Sequence, residues 1–254
     1  MTTFSGQTVL VTGATSGLGE AIALRFAANG ARLVTTGRDQ SRGEALTGRL
    51  HRMGAENTFI AGDITRRGLA EELVQQAVSR YGALDICVNS AGVIHHATVE
   101  ETSDQAWEET MAVNVSGVFY MCRAAVKAMK ANGGGVIVNI ASDAALSGFE
   151  HLAAYCASKG AVLQLSRAMA RDHGRDGIRV VPVCPGDVDT SMLRGEFADR
   201  GMDVEEGLQE SAASVPLGHV CTPEEVADLV LYAASDAARS MTGYPLVLDG
   251  GGQA

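Results

Sequence analysis

A tyrosine and a lysine stand four positions apart in a stretch of small, helix-compatible residues. They are Tyr155 and Lys159, in the segment AYCASKGA over 154–161. On an α-helix, positions i and i+4 share one face, so the lysine ammonium can lie beside the tyrosine hydroxyl. A nearby cation favours the phenolate and lowers the tyrosine pKa from its ordinary value of about 10. Such a pair could exchange a proton with a substrate hydroxyl, although a Tyr-x-x-x-Lys spacing on its own is more often ordinary surface helix.

The elements that would carry this pair alternate along the chain. Short, apolar, β-branched segments predict strands at 8–12, 31–37, 57–63, 84–89, 135–142, 178–185 and 245–248. Helical segments are predicted between them at 18–29, 40–53, 67–81, 104–131, 152–173 and 223–235. Strand–helix alternation implies right-handed βαβ crossovers, and strands this apolar are buried on both faces. We therefore predict an α/β fold, a doubly wound parallel sheet with helices on both faces.

We expect one domain over residues 1–254, because no linker, low-complexity tract or fixed-period repeat divides the chain. One long stretch departs from the alternation. Residues 186–222 are rich in Gly, Glu and Met, and we expect them to form an excursion that covers a site.

A glycine-rich loop follows the first strand directly. The segment TGATSGLG, from Thr12 to Gly19, has three glycines, at 13, 17 and 19, and opens the first helix. Glycines let the backbone approach a pyrophosphate, which the free N–H groups and partial positive charge of a helix N-terminus would bind. The position between a strand and a helix supports a nucleotide site, since a plain turn would need only one glycine.

Composition and charge disfavour several kinds of partner. The 254 residues are 46% hydrophobic, enough for a globular core, and the net charge of -10 disfavours nucleic acid and anionic membranes. The polar segment 1–7, and the lack of a run of apolar residues long enough to cross a membrane, predict a cytoplasmic protein. The five cysteines are widely spaced without a metal-ligand pattern, so we expect free thiols and no metal site.

Several separate motifs carry a resemblance to one protein family. The glycine loop has the spacing G-x-x-x-G-x-G, and after it come, in order, NSAG at 89–92, Asn114 in NVSG, Ser142 after the fifth strand, YCASK at 155–159 and PGDVDT at 185–190. With these motifs the sequence resembles the single-domain short-chain dehydrogenases/reductases over essentially its whole length. The resemblance implies a Rossmann-type fold, a nicotinamide cofactor, and the interconversion of a secondary alcohol and a ketone by hydride transfer.

The family's catalytic residues match four positions of this sequence. The resemblance makes Tyr155 the general acid/base, and Lys159 the residue that lowers its pKa and binds the nicotinamide ribose. Ser142 would hold the substrate oxygen by a hydrogen bond. Asn114 would support a water beside the lysine and so a proton path to solvent.

The resemblance also implies which residues contact the cofactor. They are Gly13, Thr15, Ser16, Gly17, Leu18, Gly19, Arg38, Asp63, Ile64, Asn89, Ala91, Gly92, Tyr155, Lys159, Pro185, Gly186, Val188 and Thr190.

The end of the second strand decides between the two nicotinamide cofactors. An acidic side chain there would accept the ribose 2′-hydroxyl of NAD, whereas arginine matches the 2′-phosphate of NADP. Gly37 stands where the acid is expected and Arg38 follows, which favours NADP, with NAD as the alternative. Asp39 and the absence of lysine or arginine from TGATSG count against NADP, and Arg38 could merely stack on adenine.

Polar residues are concentrated in the loops expected around the substrate. The loop residues are His95, His96, Asp143, Ala144, Glu150, His151, Met192 and Leu193. Our candidates for substrate contact among them are His95, Asp143, Glu150, His151 and Met192. A site for a fatty chain would be mostly apolar, so we expect a polar, hydroxylated small molecule such as a sugar or polyol. The alternative is that these loop residues merely face solvent.

Two other functions stay open. Reductases of 3-oxoacyl chains on acyl carrier protein resemble this sequence but carry basic residues before the fifth strand and at the end of the catalytic helix. Here 131–133 reads Ala-Asn-Gly and Asp176 stands at the helix end, with Arg175 one position away, which would weaken docking of an acidic partner. A catalytically idle nucleotide-binding sensor or scaffold would be marked by loss of Tyr155 or Lys159, and both are present.

The resemblance also implies a homodimer or homotetramer. Family members assemble through the helices near 104–131 and 152–173 and the carboxyl-terminal strand. Apolar residues on these helices could form such an interface or could equally pack on the sheet, namely Val118, Met121, Ala125, Leu163, Leu165 and Met169.

Overall fold

All seven predicted strands form, and they lie side by side in one parallel sheet. The structure, a computed structural model, describes residues 3–254. The strands are β1 (Thr8–Thr12), β2 (Arg32–Gly37), β3 (Asn57–Ala61), β4 (Ile86–Asn89), β5 (Gly135–Ile140), β6 (Ile178–Pro185) and β7 (Leu246–Leu248). Their order is β3-β2-β1-β4-β5-β6-β7, and each neighbouring pair is parallel. The chain winds outward in both directions from β1 and β4, which confirms the doubly wound α/β fold.

Helices cover both faces of this sheet. They are α1 (Gly17–Ala28), α2 (Gln40–Arg52), α3 (Leu69–Tyr81), α4 (Asp104–Met111), α5 (Val118–Ala131), α6 (Ala153–His173), α7 (Ser191–Asp199), α8 (Val204–Ser214) and α9 (Pro223–Ala234). Successive strand side chains point to opposite faces. Val9 and Val11 therefore pack in a core with α1, α2 and α9, whereas Leu10 packs in a second core with α3, α5 and α6. None of the helices within residues 3–254 has the length and apolarity to span a bilayer.

Two strands end earlier than predicted, at the edge of the sheet formed by the carboxyl ends of the strands. β3 ends at Ala61 and β5 at Ile140, so Asp63 and Ser142 lie on the loops that follow. The carboxyl ends of parallel strands meet at one edge of a sheet. Both residues are therefore brought to the same edge as the glycine loop.

The helix predicted over 104–131 is divided into three parts. A π-helical segment, Ala112–Gly117, lies between α4 and α5. Such wide turns are rare and are frequent at functional sites. Asn114 lies within this segment and is buried there.

The segment 186–222 adds no strand to the seven-stranded sheet and instead holds α7 and α8. Its two ends are tied together, because the Asp189 N–H donates to the Cys221 carbonyl and the Cys221 N–H donates to the Asp187 carbonyl. α8 packs on α7 through Gly207, where an added Cβ would lie 2.6 Å from the Phe197 ring. The two helices thus form a flap whose two ends are held together by backbone hydrogen bonds.

The six apolar residues proposed for an interface lie mostly inside the single chain. Val118, Met121, Ala125 and Met169 belong to the core between the sheet and α3, α5 and α6, and Leu165 packs against that core. Leu163 is also buried, at 3% exposure. Their apolar character is therefore explained by packing within the chain.

Candidate active site

Three adjoining cavities open beside the carboxyl ends of the strands. The glycine-loop cavity, of about 420 Å³, lies between the loops after β1, β2, β3 and β4. The tyrosine cavity, of about 160 Å³, lies between the loops after β4, β5 and β6. Both touch Leu18, Ser90, Gly92, Thr190 and Met192, so they are neighbouring parts of one cleft. The outer cavity, of about 740 Å³, lies beyond the tyrosine cavity, next to α7.

Most of the predicted cofactor residues line these cavities. In the glycine-loop cavity they are Gly13, Thr15, Ser16, Gly17, Leu18, Gly19, Arg38, Asp63, Ile64, Ala91, Gly92 and Thr190. In the tyrosine cavity they are Tyr155, Lys159, Pro185, Gly186 and Val188, together with Leu18, Gly92 and Thr190.

The glycine loop has the backbone geometry that a bound phosphate needs. Gly13 has φ +67°, and an added Cβ would lie 2.8 Å from the Ala91 backbone, so only glycine fits. Gly17 begins α1 with φ +52°. Ser16, the residue that caps α1, makes no side-chain bond to the first turn, which leaves the N-terminal N–H groups free to bind an anion.

A buried hydroxyl in the cleft is also without a partner. Ser90 lines both cavities, and its buried Oγ makes no hydrogen bond within residues 3–254. Buried polar groups in folded proteins are normally paired, so an unpaired one in a cleft suits a bound polar group. Together with the open helix N-terminus, this supports a dinucleotide as the occupant of the glycine-loop cavity.

Asn89 does not reach the cleft. Its side chain is buried below the sheet edge, where Nδ2 donates to Asn139 Oδ1 at 2.8 Å and contacts Cys122 Sγ at 3.4 Å. As the last residue of β4, it points into the core rather than toward the loops. Its side chain therefore lines neither cavity, and the contact of Asn89 with the ribose-phosphate side of the cofactor stays a prediction.

Tyr155 and Lys159 lie on one face of α6, as their spacing predicts. Lys159 Nζ lies 5.5 Å from the centre of the Tyr155 ring and donates to the Ile140 carbonyl at 2.9 Å. Ser142 stands opposite, two residues after β5. Its Oγ donates to Asp143 Oδ1 at 2.8 Å and accepts from the Ala144 N–H at 3.1 Å.

Asn114 joins the loop after β4 to α6. Its Oδ1 accepts from the Val93 N–H at 2.9 Å, and its Nδ2 donates to the Val93 carbonyl at 2.9 Å. The same Nδ2 donates to Ser158 Oγ at 3.0 Å, and Ser158 Oγ in turn donates to the Tyr155 carbonyl at 2.8 Å. The π-helical turn thus presents one side chain that fixes the backbone on both sides of the cleft.

The pKa values of the Tyr155 and Lys159 side chains are set mainly by burial. Burial raises the pKa of Tyr155 above its ordinary value; contact with the Ser142 hydroxyl lowers it, and the Glu196 and Asp143 charges raise it further. Burial lowers the pKa of Lys159 to about 8. We expected Lys159 to lower the Tyr155 pKa, but burial has the larger effect and raises it. Burial also disfavours the charged ammonium of Lys159.

The candidate substrate residues fall into separate places. Asp143 and Met192 line the tyrosine cavity. Glu150 and His151 line the outer cavity instead. His95 is exposed, with Nε2 3.2 Å from Glu109 Oε2, so the structure places it in a surface pair.

Other residues of the cleft were not predicted from the sequence. The tyrosine cavity is also lined by Ile94, Phe149, Leu152, Asp187 and Glu196. For Glu196, the sequence showed only that the residue lies within 186–222. Which side of α7 faces the cleft depends on how that helix packs. Arg42 was missed at the glycine-loop cavity, although it lies four positions after Arg38.

No group of three or more His, Cys, Asp or Glu side chains within residues 3–254 is arranged to hold a metal ion.

Comparison with known proteins identifies the family. A family model described as Enoyl-(Acyl carrier protein) reductase matches residues 13–253. An uncharacterized oxidoreductase of Thermotoga maritima is 39% identical over 251 residues, 99% of each chain. A 3beta-hydroxysteroid dehydrogenase of Mediterraneibacter gnavus is 38% identical, covering 98% of this chain and 95% of the relative. A D-threitol dehydrogenase of Mycolicibacterium smegmatis is 38% identical, covering 97% and 92%. With these likenesses along its whole length, and with the glycine loop and the Tyr155–Lys159 pair in one cleft, the chain belongs to the short-chain dehydrogenase/reductase family of oxidoreductases.

Proposed function

We propose that this protein interconverts a secondary alcohol and a ketone, using NADP and with Tyr155 as the general acid/base. The observation that carries the proposal is the convergence of Ser142, Tyr155 and Lys159 on one small cavity that adjoins the glycine-loop cavity. A substrate in the tyrosine cavity would lie next to the nicotinamide end of a dinucleotide bound along the glycine loop.

A bound nicotinamide supplies the two-electron chemistry, as acceptor or donor of a hydride at the reacting carbon. The residues of the chain manage the oxygen and its proton. Ser142 hydrogen-bonds the substrate oxygen, and Tyr155 takes the hydroxyl proton during oxidation or returns it during reduction. Lys159 and Asn114 hold this arrangement, the first from within α6 and the second through Val93 and Ser158.

The wall around the end of β2 supports NADP as the cofactor. An added Cβ at Gly37 would lie 2.6 Å from the Thr15 side chain, so no acidic side chain fits there. Arg38 and Arg42 both line the cavity, which provides the two cations that a 2′-phosphate site often has. The Asp39 carboxylate caps α2 by accepting the Arg42 N–H at 3.0 Å, so it is already engaged.

The tyrosine cavity supports a polar, hydroxylated substrate. Three carboxylates, those of Asp143, Asp187 and Glu196, line a cavity of only about 160 Å³. A polyol offers hydroxyl donors to the carboxylate oxygens that still lack a partner, whereas a fatty chain offers them none. The relative named for D-threitol, itself a polyol, agrees with this choice.

The test is a set of initial-rate measurements with sugars, polyols and simple secondary alcohols at alkaline pH, each with NAD and with NADP. We expect the highest kcat/KM for a polyhydroxylated alcohol with NADP. Turnover of 3-oxoacyl thioesters with no oxidation of any alcohol would overturn the substrate proposal in favour of an acyl reductase. Failure to turn over any ketone, alcohol or thioester would overturn the enzyme proposal itself.

A further inference from the structure

An acidic side chain of the flap reaches across the cleft to the body of the protein. Glu196 lies on α7, and its Oε2 is 2.6 Å from Nε2 of His96, on the segment after β4. The side chains of Glu196 and His96 are 16% and 26% exposed, so the contact lies at the edge of the cleft and is partly open to solvent. The next residue, Ala97, donates its N–H to the His151 carbonyl at 2.7 Å, so the segment that carries His96 is itself fixed.

This contact leaves half of the carboxylate free. The hydrogen bonds of residues 3–254 engage Oε2 of Glu196, through His96, and none of them engages Oε1. Glu196 lines both the tyrosine cavity and the outer cavity, so it stands at the boundary between them. A carboxylate oxygen without a hydrogen-bond partner therefore belongs to a side chain that lines the tyrosine cavity.

The charges around Glu196 agree with a hydrogen-bonding carboxylate close to the reacting atoms. Burial raises the pKa of Glu196, the His96 contact lowers it, and the charges of Asp187 and Arg200 act in opposite directions. The charge of Glu196 also raises the pKa of Tyr155, and both side chains line the tyrosine cavity.

We propose that Glu196 is a specificity-determining residue, whose free oxygen accepts a hydrogen bond from a second hydroxyl close to the reacting carbon, and that His96 is its positioning residue. The substrate class is then a vicinal diol or polyol rather than an isolated secondary alcohol. The inference rests on the proposed function. A site built to bind a hydroxyl discriminates strongly against an analogue without one, because its buried acceptor is left unpaired.

The test compares two alcohols that differ by one hydroxyl, 2,3-butanediol and 2-butanol. The readout is the ratio of kcat/KM for the diol, each stereoisomer assayed separately, to kcat/KM for the mono-alcohol. We expect the wild type to prefer a diol and Glu196→Leu to lower the ratio by about tenfold or more. Glu196→Gln keeps a hydrogen-bonding group and should give an intermediate ratio. The control Asp199→Leu makes the same change on an exposed part of α7 and should leave the ratio unchanged.

The positioning role of His96 is tested by rescue. His96→Ala should lower the diol ratio, and His96→Gln, which can still donate to Glu196, should restore part of it. Equal loss of both activities in the Glu196 variants, or a wild type that prefers 2-butanol, would overturn the inference while leaving the proposed interconversion of a secondary alcohol and a ketone intact. A wild type that oxidises neither alcohol would instead count against the proposed function.

Discussion

Burial raises the pKa of Tyr155 above its ordinary value of about 10, so we expect the phenol to keep its proton at neutral pH. A phenol of high pKa is suited to donate a proton to a ketone oxygen, and it needs alkaline conditions to accept one from an alcohol. Reduction should therefore be favoured near neutrality and oxidation at higher pH.

Replacing this phenol tests its role at the level of one atom. Tyr155→Phe removes the hydroxyl and keeps the ring, so we expect turnover to fall by about a hundredfold or more while NADPH binding is nearly unchanged. Steady-state rates and cofactor fluorescence measure the two effects. Activity within about threefold of the wild type would exclude Tyr155 as the general acid/base.

Lys159 should make stability depend on pH. Its pKa is about 8 in the folded protein against 10.5 as the ordinary value, so between these values the unfolded chain holds a proton that the folded protein has lost. Stability then rises with pH in this window, at up to about 1.4 kcal/mol per pH unit. Lys159→Met should therefore have its largest stability advantage over the wild type near pH 7, shrinking toward pH 10. Urea unfolding at several pH values measures the difference in unfolding free energy between the variant and the wild type. A difference that stays constant with pH would contradict this prediction.

At the residue scale, the spacing of residues in the sequence was enough to predict which side chains are neighbours within a single helix. Tyr155 and Lys159 share a helix, so a four-residue separation was enough to bring them together. The positions of the Asn89 and His95 side chains could not be predicted in this way. Asn89 ends a strand and His95 lies in a loop, where packing decides the direction in which each side chain points. Glu196 required knowing how α7 lies on the cleft.

At the scale of elements, the π-helical segment Ala112–Gly117 connects the cleft's two sides through Asn114. Asn114→Ala would leave the Val93 N–H and carbonyl, both now bonded to this side chain, without partners. We expect a loss of about 2–4 kcal/mol in unfolding free energy, together with lower turnover. Chemical denaturation measures the unfolding free energy. Ser116→Ala, in the same segment, is the matched control. Equal losses in the two variants would show that the Asn114 hydrogen bonds do not stabilise the fold.

The junction of β2 and α2 should select the cofactor. Arg38→Asp replaces a cation that lines the glycine-loop cavity by an anion that can accept a ribose hydroxyl. We expect the ratio of kcat/KM with NADP to that with NAD to fall by about tenfold or more. Arg52→Asp, at the far end of α2, should leave this ratio unchanged. An unaltered ratio in the Arg38 variant would mean that another group selects the cofactor.

At the scale of the whole molecule, apolar strand segments alternating with helices were sufficient to predict the sheet, its parallel strands and the two covered faces. The helix pattern over 104–131 could not reveal the π-helical turn, because one extra residue in a turn changes little in apolar periodicity. The helices of 186–222 were also not predicted, since that stretch is short of apolar residues and gains its structure by packing, as Phe197 does on Gly207.

Assembly stays a prediction from family resemblance. Phe119 on α5 and Trp107 on α4 remain 43% and 44% exposed, and Tyr232 on α9 and Val247 on β7 are each 41% exposed. These side chains, rather than the buried ones on the same helices, are the surfaces we expect between subunits. Light scattering should give a mass two or four times that of one chain, and Phe119→Asp should lower the measured mass. A wild type with the mass of one chain at micromolar concentration would contradict this.

The most direct measurement follows the hydrogen that moves. 2,3-Butanediol labelled with deuterium on its carbinol carbons is incubated with the wild-type protein and NADP, and the reduced cofactor is analysed by mass spectrometry. We expect one deuterium in the reduced cofactor for each ketone formed, and almost none when Tyr155→Phe replaces the wild type. Ketone formed without deuterium in the cofactor would contradict hydride transfer, and with it the account of the cleft given above.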